Sequence, residues 1–72
     1  MPARMRNLIR ALAHFQIEVL PPSAGSHWRA RKDGRTYTIP AAHGVTTEIP
    51  DNYVRGVCKF FAIDERELRA RM

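Results

Sequence analysis

His27, in the run Gly25-Ser26-His27-Trp28, has a side chain suited to moving protons near neutral pH, since an unperturbed imidazole titrates at about 6.5. The small residues before it let another backbone come close to the ring. Cations follow at Arg29, Arg31, Lys32 and Arg35. Such a set matches what metal-free RNA cleavage asks for. The substrate brings its own nucleophile in the 2′-hydroxyl, and the protein supplies a base, an acid and a positive charge at phosphorus. Strand alternation predicts His27, Arg29 and Arg31 on one face and Trp28 on the other. On these residues alone, a structural role for His27 at a strand end is favoured over catalysis.

The other candidates carry less. His43 is either a second proton-transfer group or a residue that holds its loop through hydrogen bonds, and the latter is favoured because nothing near it demands a second titrating group. His14 falls where a first helix ends, a place for a capping cation. Three scattered histidines without cysteine or carboxylate at ligand spacing do not make a zinc site, and no cofactor is implied. Arg55 and Lys59 stand one helical turn apart, suited equally to tracking phosphates and to a plain solvated face. Trp28 reads as core rather than as a stacking platform. Tyr53 and Phe60 read as bordering the core, with a partly exposed pair suiting a partner interface.

The elements that must position these residues follow from periodicity. Met5, Leu8, Ile9 and Leu12 form the apolar stripe of a helix over about 3–14, and Val54, Val57, Cys58 and Phe61 repeat that spacing over about 50–62. Gly56 weakens the second helix by about 1 kcal/mol relative to alanine, which marks a close packing contact. Pro50 suits the first turn of that helix, with Glu48 and Asp51 at the positive end of its dipole. Asp64 opens a short terminal helical turn. Residues 17–20 read as a strand, ended by Pro21-Pro22. Asp33-Gly34 joins strands over 27–31 and 35–39 in a hairpin. Residues 40–47 read as loop. The order is helix, strand, strand, strand, helix, an α+β fold with a three-stranded antiparallel sheet and both helices on one face. The other face is left for a ligand.

With 72 residues the chain reads as a single domain over 1–72, too short for a cofactor fold beside a substrate domain. At 44% hydrophobic residues it is no disordered tail, and a net charge of +5 favours polyanions. Cys58 is the only cysteine, so no intramolecular disulfide forms, and its apolar neighbours make it a core residue. No apolar run approaches the roughly 20 residues of a membrane span, and the arginines at 4, 6 and 10 break any signal-peptide core, so the expectation is a cytoplasmic protein with no membrane partner.

In order and spacing, the chain resembles the HicA toxin family of bacterial toxin–antitoxin modules over most of its length. Gly25-Ser26-His27 matches the family's small-residue-Ser-His box, Asp33-Gly34-Arg35 its hairpin, and Thr38-Ile39-Pro40 its strand ending in proline. His43 follows, and Glu48-Ile49-Pro50 through Lys59 matches the opening of its second helix. The resemblance implies a fold like a double-stranded-RNA-binding domain and an mRNA-cleaving endoribonuclease with His27 as catalytic residue. It also implies RNA contacts from Ser26, Arg29, Arg31, Lys32, Arg35, Arg55 and Lys59, and a HicB-type antitoxin that covers His27. Trp28 replaces a second histidine, and Asp51-Asn52 replaces the family's Lys-Gly. A non-catalytic RNA-binding module is the alternative.

Overall fold

A computed structural model describes residues 3–72. Helix α1 (Met5–Ala13) buries Met5, Leu8, Ala11 and Leu12, with Ile9 half-buried beside them. It has no side-chain cap at its start. One of the orphan N–H groups that every helix leaves there, that of Met5, donates instead to the Thr47 carbonyl at 2.8 Å. Two short strands hold that carbonyl in place. β1 (Ala3–Arg4) pairs antiparallel with a strand at Glu48–Ile49, and Arg4 donates to the Thr46 carbonyl at 2.8 Å. Neither strand was expected. At two residues each they are too short to show alternation in the sequence, where residues 3–4 read as helix.

The main sheet is antiparallel, in the order β2 (Glu18–Leu20), β3 (His27–Lys32), β4 (Arg35–Pro40). Asp33 and Gly34 both take positive φ, 53° and 78°, as a two-residue type I′ turn requires. The strands they join pair from Lys32↔Arg35 to His27↔Pro40. The Ala41 N–H donates to the Ser26 carbonyl at 2.8 Å, which makes His27↔Pro40 a non-hydrogen-bonded pair. The missing N–H of Pro40 therefore costs the ladder nothing.

Beyond a 3₁₀ turn at Gly44–Thr46 and strand β5 (Glu48–Ile49), helix α2 (Asp51–Phe61) buries Val54, Val57 and Cys58. Pro50 occupies the N-cap, one place before its expected position, and its carbonyl accepts from the Tyr53 and Val54 N–H groups. The close contact marked by Gly56 is with β4, since a Cβ there would overlap the Tyr37 hydroxyl. Asp64 caps helix α3 (Glu65–Ala70) as its composition predicts, its carboxylate accepting from the Arg66 and Glu67 N–H groups at 2.8 and 3.4 Å. Arg69 then reaches Glu65 at 2.8 Å and Asp51 at 3.2 Å, tying α3 to the start of α2.

Both long helices lie over the sheet face that carries Val19, Trp28, Ala30, Tyr37 and Ile39. Together they make a slab of 30 × 29 × 18 Å, one sheet and one helix layer deep. Among the described residues no polar or charged side chain is buried.

Candidate nucleic-acid interface

The register decides what the uncovered face of the sheet presents. Its cross-strand rows are Glu18–Arg31–Thr36, Leu20–Arg29–Thr38 and His27–Pro40. His27, Arg29, Arg31, Thr36 and Thr38 are exposed. Side chains two residues apart on a strand stand roughly 6.6 Å apart, so Arg29 is one step from His27 and Arg31 two. Neither arginine has a hydrogen bond or ion pair with another described residue. Because these rows are non-hydrogen-bonded between β3 and β4, their side chains stand closest across that pair. Thr36 and Thr38 thus join the site, beyond the residues that the sequence singles out. Period-2 alternation combined with the turn at Asp33-Gly34 holds the signal that finds them.

The remaining sequence candidates separate from this face. Lys32 and Arg35 have the opposite strand parity, and the Arg35 guanidinium lies 4.4 Å from the centre of the Phe60 ring, a cation–π contact. Phe60 also meets Tyr37 at 5.4 Å and Phe61 at 4.9 Å. Arg55 and Lys59 are exposed on α2. These four cations flank the helix layer and do not converge on His27. Ser26, half-buried, uses its carbonyl to extend the hairpin ladder.

Of the two small residues before His27, Ser26 receives the backbone of Ala41, whereas Gly25 serves its own conformation. No other segment approaches Gly25, around which a Cβ would meet nothing within 4 Å. Its φ of +77° is what calls for glycine, because it turns the loop into β3. His43 holds its loop through its backbone, its N–H donating to Thr47 Oγ1 at 2.8 Å and its carbonyl accepting from Thr46 Oγ1 at 3.0 Å. Its side chain is exposed, as is that of His14 at the C-cap of α1. Trp28 and Tyr53 are half-buried against the core. Cys58 is 3% exposed, and burial pushes its thiol up to about 11, the behaviour of a core residue.

Among the described residues no group of three His, Cys, Asp or Glu side chains is placed to hold a metal ion, and no helix is long and apolar enough to cross a membrane. The first 40 residues carry seven Lys and Arg against two carboxylates, so they hold all of the net charge, whereas the rest of the chain is balanced. No protein-family model, curated protein or solved structure matches this chain.

Proposed function

We propose that the chain binds RNA on its open sheet face and cleaves it without metal, with His27 as the proton-transfer residue. The observation that carries this reading is the row order on that face, where an exposed imidazole stands one step from an arginine that has no partner among the described residues. His27 takes the proton from a 2′-hydroxyl or gives one to the departing 5′-oxygen. Arg29 offsets the charge gathering on the phosphorus between them, and Arg31 holds a neighbouring phosphate. Thr36 and Thr38 add hydroxyls beside the two arginines. Lys32, Arg35, Arg55 and Lys59 extend the positive field towards the helix layer. On its resemblance to HicA the chain is the toxin of a cytoplasmic toxin–antitoxin pair, with a HicB-type antitoxin that covers His27.

A second reading, RNA binding without cleavage, is favoured by one feature. The face holds a single imidazole, and the carboxylate of Glu18 stands in the row of Arg31, two steps from His27. Only one of the two proton transfers then has a side chain to perform it.

Cleavage of a synthetic RNA by the purified chain in EDTA separates the readings. His27→Ala should lower the rate by about 10²–10⁴-fold, the usual cost of losing a general acid or base. The melting temperature should hold, because the side chain is exposed and leaves no cavity. RNA affinity should hold as well, because Arg29 and Arg31 remain. Full cleavage by a folded His27→Ala protein removes His27 from the mechanism and makes His43→Ala the next variant. Binding without cleavage by the unaltered chain selects the second reading.

A further inference from the structure

Strand β4 forms an edge of the sheet. It bonds to β3 through Arg35, Tyr37 and Ile39, so Thr36 and Thr38 turn both N–H and C=O away from the sheet. Among the described residues no strand pairs with that side, and no loop or capping hydrogen bond of the backbone reaches either threonine. Such an edge recruits another strand unless a proline, an inward charge, a bulge or a covering element guards it. The opposite edge is guarded, since β2 has three residues and runs into Pro21-Pro22. β4 has six, and its guards, the helix-side charge of Arg35 and the proline Pro40, stand only at its two ends and leave Thr36–Ile39 open.

The side chains beside the edge define what pairs with it. On the open face Thr36 and Thr38 are short, with Arg31 and Arg29 directly behind them on β3. A strand added to β4 lies about 4.8 Å further out, so a carboxylate opposite either threonine stands within reach of an extended arginine two strands away. On the helix side the edge is flanked by Tyr37, by Phe60 and by Arg35 laid across the Phe60 ring.

We propose that β4 is a strand-addition site for an extended acidic segment of a partner protein. Its carboxylates alternate along the face of Thr36 and Thr38, and apolar residues between them face Tyr37 and Phe60. A second copy of this chain does not supply that pattern, because residues 35–40 contain no carboxylate and each copy carries a charge of +5. The inference does not rest on RNA cleavage, although it shares Arg29 and Arg31 with that reading.

The probe is a synthetic peptide of alternating glutamate and valine, titrated into the full chain and followed by amide hydrogen exchange. Thr36 and Thr38 amides should become protected. A peptide of the same charge with its β4-facing amides N-methylated should bind at least about tenfold more weakly, since only the ladder is lost. An alternating lysine and valine peptide should not bind. Equal affinity of the methylated peptide, or binding that leaves the Thr36 and Thr38 amides unprotected, reduces the effect to charge attraction and overturns the proposal. Protection of these amides in the chain alone, with dimers in sedimentation, assigns the edge to a second copy and overturns it as well.

Discussion

Gly56 shows how one absent methyl group sets the distance between layers. Alanine there would improve helix propensity by about 1 kcal/mol, yet its Cβ would overlap the Tyr37 hydroxyl, whose ring is already engaged with Phe60. Overpacking costs about 1–3 kcal/mol, so Gly56→Ala should destabilise the protein by about 1 kcal/mol. In a Tyr37→Phe background that loss should shrink, which a denaturant cycle over the four proteins measures. Cys58 gives a second test. Its folded thiol titrates at about 11, above its ordinary range near 9. The stabilisation is complete below the unfolded value. As pH rises from about 9 to about 11 the unfolded chain sheds a proton that the folded chain keeps, so stability falls across that window. Cys58→Ala should flatten this part of the stability profile, and a thiol reagent at neutral pH should label Cys58 only when the chain unfolds.

At the scale of elements, two helices end without the glycine that such ends favour. Gln16 and Ala62 take φ of 59° and 56°, and the Ile17 and Ile63 N–H groups reach back to the Leu12 and Cys58 carbonyls at 3.1 and 2.8 Å. A left-handed residue other than glycine costs about 1–2 kcal/mol, part of which glycine returns through its looser unfolded chain. Ala62→Gly should raise the melting temperature by a few degrees, as calorimetry would show. The elements themselves were largely legible. The apolar stripes placed both long helices, and Asp33-Gly34 fixed the hairpin and, through it, which residues share a face with His27. Less visible were the β1–β5 bridge and the parting of Lys32 and Arg35 from that face. The bridge rests on backbone bonds between residues 3–4 and 48–49, which leave no pattern in side chains. The parting follows strand parity, but a cation counted by its nearness in sequence hides it.

For the whole molecule, charge is the property that a polyanion meets first. Affinity for single-stranded RNA should fall with salt, the slope easing by about 0.7 for each phosphate contact removed. Arg29→Ala and Arg31→Ala should each show that easing in titrations over a salt series, whereas Arg66→Ala, on α3, should leave the slope unchanged. The uneven distribution of charge has a consequence for approach. Strand β3 carries Arg29, Arg31 and Lys32 and no carboxylate, so positive charge is gathered along one strand of the sheet. A polyanion then exerts a torque as well as a pull, and the molecule arrives already turned, its docking decided partly in the solvent before any side chain touches.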